Sequence, residues 1–467
     1  MRSRIPLALL VALAMLVAAC GGGGSGADTT ESTDTTEPTG TTEDMTSTTE
    51  AMTTTTGGEM DLAFDAGFDE ATGTITLGAL AALTGPIPDI GASLLHGHEL
   101  YWDALNGDEG GVAGMYPVEL IVRDNEYNPE VNPVVYNEIK DDVLAISSSL
   151  GTPTTATIFE AAAAENILVA AGSLASQWAL TDNVPLNLAA GTYFSQFANA
   201  PYWATEIADP AVITEDSVIG MIYQADDYGE DCLNGLNFGL ENTGLELSYE
   251  ATYAATDTDF SAQIGGAQAA GVDVLFVCAL PTALATMLGT AGAIEYSPTV
   301  LGSSPSYNVA LPAALGQGDE VAGIGFFSSF PYYGLGAGPS FEDDTPGMTK
   351  MRESLEAYGA DIPDQELNAF FWFGYAQAQT FHQILEAGVA NGDITRAGLL
   401  GVIPTIQDFD PGFGGDPTGY GPTPKDKIPT NEDNIGVPVS LSERVFGLDP
   451  VSDFFVAPYM ADWDPAG

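Results

Sequence analysis

The sequence predicts an α/β protein made of two doubly wound lobes joined by a multi-strand hinge. Three observations predict this. From Gly73 onward, short β-branched runs alternate with longer amphipathic stretches, the rhythm of mostly parallel sheets with helices on both faces. The roughly 395 residues that follow are too many for one core. The rhythm also breaks twice, at an irregular aromatic stretch from Asn187 to Trp203 and again over Pro331–Pro346, so the chain is expected to pass between lobes more than once.

The first 72 residues stand outside that pattern. Arg2 and Arg4 precede an apolar run, Pro6–Val17, which closes on Leu16-Val17-Ala18-Ala19-Cys20 and four glycines. A basic start, a short apolar run and small residues before the cut mark a secretory signal. Cysteine directly after them makes residues 1–19 resemble a bacterial lipoprotein signal, which implies that Cys20 is lipidated and becomes the new N-terminus. The run is too short to span a bilayer, which needs about 20 apolar residues. The protein is therefore expected to be exported, lipid-anchored on the outer face of the cell membrane, and in contact with the membrane through that lipid only. Two acyl chains suffice for stable anchoring. Residues 20–72 are Gly, Thr, Ser and acids, with fifteen threonines between Thr29 and Thr56 and no Lys or Arg. Such a segment buries too little to offset ordering entropy, so a disordered tether is expected, holding the body about 40 Å from its anchor.

Charge excludes some partners. The 65 acids face 10 bases for a net −55, and without Arg2 and Arg4 the 65 face 8, or −57. Nucleic acid and anionic lipid both require basic patches, so neither is an expected partner. Adaptation to salt and a habit of the lineage both stay open as reasons for the surplus.

Within the body, strands are predicted at Thr74–Leu80, Val118–Arg123, Val143–Ser147, Ile167–Ala170, Ser217–Tyr223, Leu245–Tyr249, Val272–Cys278, Thr299–Gly302 and Gly323–Ser328. Helices are predicted at Gly91–Asn106, Thr155–Glu165, Tyr228–Glu241, Asp259–Ala270, Thr282–Ile294, Met348–Tyr358 and Asn368–Ala387. The last two have no strand nearby and need a host, for which the first lobe is suited. The expected division is 73–195 for lobe 1, 196–333 for lobe 2, 334–440 for a return to lobe 1, and 441–467 for a hinge and lobe 2 segment. With Cys20 lipidated, Cys232 and Cys278 remain in an oxidising compartment, near one edge of one small sheet, and a disulfide is expected.

Taken together, these segments resemble the type I periplasmic binding proteins, in particular the leucine/isoleucine/valine-binding proteins of ABC importers. The resemblance is carried by Ile75–Leu80 leading to Leu83-Thr84-Gly85-Pro86, and by Val118–Val122 ending in Arg123-Asp124-Asn125. Gln224-Ala225-Asp226-Asp227-Tyr228-Gly229, Asp257–Ser261 and Gly271–Val277 continue it. It covers about residues 73–460. It implies a small solute captured in a cleft between the lobes by hinge closure, ABC permease and ATPase subunits as partners, a monomer, no cofactor and no catalysis.

Carried over residue by residue, the resemblance places ligand contacts at Gly151 and Thr152, at Gly172 and Ser173, at Tyr228 and near Ser304. The family's amino-acid binders hold an acid near Ser304 that pairs with the ligand's ammonium, which serine cannot do. Asp226 or Asp227 are candidate substitutes. The ligand class therefore spans branched-chain amino acids and related amides or carboxylates. Trp178, Tyr193, Phe194, Tyr202, Tyr307, Tyr332 and Tyr333 fall in or near the expected cleft loops. No metal site is expected: His96 and His98 are two apart on a helix and face opposite ways, and Asp257 with Asp259 lacks the further spacing of a calcium loop. No nucleophile elbow, phosphate loop or Cys-x-x-Cys occurs. Two other readings stay open, a sensory receptor subunit with the same cleft and a surface hydrolase.

Overall fold

The computed structural model describes residues 62–307, 330–440 and 446–467. Cys20, the tether up to residue 61 and the strand expected at Gly323–Ser328 lie outside the described residues. The first sheet runs β3-β2-β4-β5, all parallel: β2 (Thr74–Ala81), β3 (Val118–Asp124), β4 (Ile146–Leu150) and β5 (Val169–Gly172). A short β1 (Phe68–Asp69) pairs antiparallel with the start of β2. Strands β4 and β5 are buried along their whole length, as expected when helices cover both faces.

Helix α1 (Pro88–Ala104) follows β2, α2 (Asn132–Ile139) follows β3, and α3 (Thr152–Thr155) with α4 (Phe159–Ala164) follows β4. The single helix predicted over Thr155–Glu165 is thus divided in two. Helices α9 (Pro346–Tyr358) and α10 (Ala369–Ala390) return to this lobe, where Met348, Met351, Phe371 and Tyr375 share a core with Leu100, Tyr101 and Trp102. α1 and α10 cross at glycines. A Cβ on Gly97 would lie 2.0 Å from the Phe371 carbonyl oxygen, and one on Gly374 would lie 1.9 Å from that of Leu94. Helix α11 (Arg396–Val402) completes the lobe.

The second sheet runs β12-β11-β10-β9-β8-β6-β7. Strands β6 (Ile219–Gln224), β7 (Leu247–Tyr253), β8 (Val274–Cys278), β9 (Thr299–Gly302) and β10 (Tyr332–Leu335) are parallel. Strands β11 (Ile435–Ser440) and β12 (Phe446–Pro450) add an antiparallel edge. Helices α5 (Tyr193–Tyr202), α6 (Asp227–Thr243), α7 (Ser261–Ala270) and α8 (Pro281–Ala293) belong here. α5 presses on α6 so closely that a Cβ on Gly235 would lie 2.2 Å from the Phe194 carbonyl oxygen. Cys232 in α6 is disulfide-bonded to Cys278 in β8, with Cα atoms 6.3 Å apart.

The structure departs from the sequence reading in identifiable ways. Asn187–Trp203 is not irregular throughout, because it contains α5. All residues from Tyr193 to Pro201 are buried, and Pro201 inside the helix reads in the sequence as a breaker. β10 and β11 fall in stretches read as irregular or as part of the first lobe, yet both lie in the second sheet. Among the described residues the chain passes between the sheets three times: before α5, after β10 and before β11. The body also starts earlier than composition suggests. Ala63 bridges to Asp393, and Leu62, Phe64 and Phe68 pack on the first core, three apolar side chains that the polar average of residues 20–72 conceals.

Candidate functional site

A cavity of about 120 Å³ lies between the sheets. Much of its wall comes from residues just beyond strand ends: Gly151 and Thr152 after β4, Ser173 after β5, Tyr228 after β6, Leu280 after β8 and Ser304 after β9. In open α/β sheets that is where a crevice forms. All six positions carried over from the resemblance line this one cavity: Gly151, Thr152, Gly172, Ser173, Tyr228 and Ser304.

Local chemistry fixes the first-lobe wall. Asp124 accepts hydrogen bonds from the Leu83 N–H (2.9 Å), the Thr84 hydroxyl (2.7 Å) and the Glu126 N–H (2.9 Å). Asn125 donates to the Leu150 carbonyl at 3.0 Å and accepts from the Tyr127 N–H at 2.9 Å. These bonds hold Glu126 and Tyr127 in the left-handed region, at φ +56° and +51°, a conformation non-glycine residues rarely adopt. The result is a Tyr127 ring on the cavity wall. The Thr152 and Ser173 hydroxyls are hydrogen-bonded at 2.6 Å, and Ser173 Oγ also accepts from Trp178 Nε1 at 3.2 Å.

On the second-lobe side, Asp226 caps α6 by accepting from the Tyr228 and Gly229 N–H groups. It also accepts from Gln224, so it is engaged within its own lobe. Tyr228 packs edge-on to Tyr193, and its hydroxyl bonds Ser303 Oγ at 2.6 Å. Burial pushes the Tyr228 phenol well above its ordinary range, so it stays neutral. The Ser304 N–H donates to Gln196 Oε1 at 3.1 Å.

The lobes touch in front of the cavity. Leu280 packs in one cluster with Ile87, Ile90, Leu94, Tyr127, Leu150 and Phe370. Gln224 donates to the Tyr127 hydroxyl at 3.5 Å. Asp231 of α6 accepts from Ser176, beyond β5, through both its N–H and its hydroxyl. The Phe194 N–H also donates to it. Burial raises the Asp231 carboxyl to about 6 against these three donors.

Several wall residues escape sequence reading. Ile87, Ile90, Leu94, Phe370, Trp372 and Phe373 give the cavity an apolar side, yet Ile87 and Ile90 fall just before the helix predicted from Gly91, and the other four read as ordinary helix core. Two buried polar atoms on wall residues have no hydrogen-bond partner among the described residues, Trp372 Nε1 and Asp433 Oδ2. Asp433 is one of 65 acids, and no sequence signal separates it from the rest. Of the seven aromatics expected near the cleft, Tyr193 and Tyr307 line the cavity. Trp178 instead packs on Phe159, Phe194 stacks on Trp463, Tyr202 packs on Tyr459 and Tyr333 on Trp203. Tyr332 packs near Tyr307 within β10. Among the described residues, no group of three His, Cys, Asp or Glu is placed to hold a metal, and no helix is long and apolar enough to cross a membrane.

Comparison with known proteins places this architecture. The fatty acid ABC transporter substrate-binding protein from Thermomonospora curvata superposes with a TM-score of 0.74 at 25% identity, over 86% of this chain and 97% of that one. A branched-chain amino acid ABC transporter protein from Thermus thermophilus with bound valine gives 0.69 at 17% identity, over 83% and 98%. An R. palustris ABC transporter solute-binding protein in complex with 4-hydroxybenzoate gives 0.65 at 14%, over 82% and 97%. Among curated proteins, none matches the chain. The signature of the periplasmic binding protein family matches residues 74–428, and with the type I fold around it the chain belongs to that family.

Proposed function

We propose that this protein is the extracytoplasmic solute-binding lipoprotein of an ABC importer, delivering its cargo to permease and ATPase subunits, and that it binds without turning over. The observation that carries this reading is the cavity itself. It is flanked by strand ends from both sheets and closed in front by Leu280 against Ile87, Ile90 and Leu94. Ligand affinity for the closed arrangement supplies the free energy for hinge closure, and three crossing segments are suited to that motion.

The wall suits a solute with a polar end and an apolar body. Thr152, Ser173, Tyr193 and Gln196 offer hydroxyl and amide groups, while Ile87, Ile90, Leu94 and Phe370 offer apolar surface. A branched-chain amino acid, or a related amide or carboxylate, has that form. The solved relatives named for fatty acid, valine and 4-hydroxybenzoate support a carboxyl compound with an apolar body. The signal-like residues 1–19 and Cys20 support attachment outside the membrane, and the monomeric state is part of the same proposal.

The test is a thermal-shift and calorimetric panel on the purified protein in moderate salt. It covers amino acids, amides, urea, short carboxylates and fatty acids. A solute at 100 times its Kd adds about 2.7 kcal/mol of stability, which raises Tm by several degrees. Saturable binding without consumption of the solute supports the proposal. Silence across the panel, or turnover of an ester or glycoside, overturns it.

A further inference from the structure

Asp433 is a buried acid that lines the cavity, and one of its oxygens has no hydrogen-bond partner among the described residues. It is 2% exposed. Its Oδ1 accepts from the Gly336 N–H at 2.7 Å and from the Asn434 N–H at 2.9 Å. Its Oδ2 has no hydrogen-bond partner among the described residues. A buried carboxylate is costly unless a positive group or further donors meet it. The cavity offers none from the protein: among the described residues, no Lys, Arg or His lines it.

The surroundings carry one sign. Asp416 and Glu432 line the cavity too, and an adjoining open pocket shares them and adds Asp343, Asp449 and Asp453. Acids thus line this side of the cavity and the adjoining pocket from the 414–416 loop, from the segment of Asp433, from the stretch after β10 and from the end of β12. Gly336 fixes where this acid sits. The Gly336 N–H binds Asp433, and a Cβ on Gly336 would lie 3.2 Å from Ser304 Cβ and 2.8 Å from Gln196 Nε2. Asp433, just before β11, and Ser304, just after β9, therefore flank the same glycine.

We infer that Asp433 is the counter-charge for a protonated amine on the solute, with Oδ2 accepting the ammonium N–H. This rests on the solute-binding reading and narrows its cargo to amine-bearing compounds. A charge-assisted bond of this kind is stronger than a neutral one. It supplies from the segment before β11 what serine at 304 lacks. Burial raises the Asp433 carboxyl to about 8, against the two N–H donors. An incoming ammonium favours the ionised form, so binding releases a proton below that pH.

The experiment is calorimetry on the purified protein with four compounds sharing one apolar body: isoamylamine, leucine, isovaleramide and isovalerate. Isoamylamine or leucine is expected to bind more tightly than isovalerate. Asp433→Asn is expected to weaken the amine at least tenfold. On the wild type alone, amine affinity is expected to rise roughly tenfold per unit from pH 6 toward 8, as the competing proton is lost. That measurement decides the matter even if the variant does not fold. Preference for isovalerate, amine binding unmoved by Asp433→Asn, or amine affinity flat with pH overturns the assignment. Solute capture survives if isovalerate or isovaleramide binds. Absence of binding here and across the broader panel removes both readings.

Discussion

The hydroxyls of Thr152 and Ser173 lie 2.6 Å apart and join the turn after β4 to the turn after β5 on the cavity wall. The pair is unequal. Ser173 Oγ also accepts from Trp178 Nε1 and the Ala175 N–H, whereas among the described residues Thr152 Oγ1 bonds Ser173 alone. Thr152→Val keeps the shape and removes one polar contact. It is expected to lower solute affinity about tenfold, within the range of a hydrogen bond, with little change in Tm. Ser173→Ala strands the buried Trp178 N–H and is expected to cost about 1–3 kcal/mol in stability. Calorimetry and urea unfolding separate the two, and equal behaviour would contradict this division of labour.

The α1–α10 crossing admits no side chain at Gly97 or Gly374. Each would press a Cβ into a carbonyl oxygen at about half the normal contact distance. Gly97→Ala or Gly374→Ala is expected to lose about 3 kcal/mol or more, at the upper end of overpacking costs. The check is the urea midpoint, beside Gly401→Ala, where a Cβ meets open space and stability should hold or rise.

His98 is fully buried, bonded to Ser147 Oγ at 2.9 Å and near the Gly374 carbonyl at 3.3 Å. Burial lowers its pKa to about 4, against about 6.5 when unfolded. Above pH 6.5 both states are neutral and its contribution is intact. As pH falls from 6.5 to 4 the unfolded chain gains a proton that the folded chain refuses, so roughly 3 kcal/mol is lost. Asp231, raised to about 6, works in the opposite direction as pH falls. The readout is therefore the difference between wild type and His98→Gln from pH 7 to 4, which should shrink by that amount.

Cys232 and Cys278 are 46 residues apart in sequence, and a cross-link of that span restricts the unfolded chain by about 4 kcal/mol on the chain-entropy account. Intact mass should rise by about two daltons on reduction, one for each restored thiol hydrogen. The reduced protein should melt several degrees lower. An unchanged mass would remove the bond.

Sequence reading reaches the strands best where both faces are buried. β8 is an unbroken apolar run, β2, β6 and β9 are mostly apolar with one glycine each, at Gly78, Gly220 and Gly302, and the positions just past several of them could be placed from order alone. α5 stayed hidden because Pro201, which lies inside it, reads as a helix breaker. β10 and β12 are too short to show alternation. Asp433 was illegible for another reason: what sets it apart is an oxygen without a partner among the described residues. That follows from the Gly336 N–H, 97 residues away, and from what its neighbours fail to supply. Phe370, Trp372 and Phe373 read as the start of an apolar helix, and only the fold shows that this start lines the cavity.

The N-terminal strap has a mechanical consequence. Leu62, Phe64 and Phe68 press on the first core, Ala63 is bridged to Asp393, and Asp65 accepts from the Arg396 N–H. A pull applied upstream of Leu62 is met first at the turn before α11 and at the first residue of that helix, within one lobe. It bypasses all three crossings, so tension on that end neither pries the lobes apart nor clamps them shut.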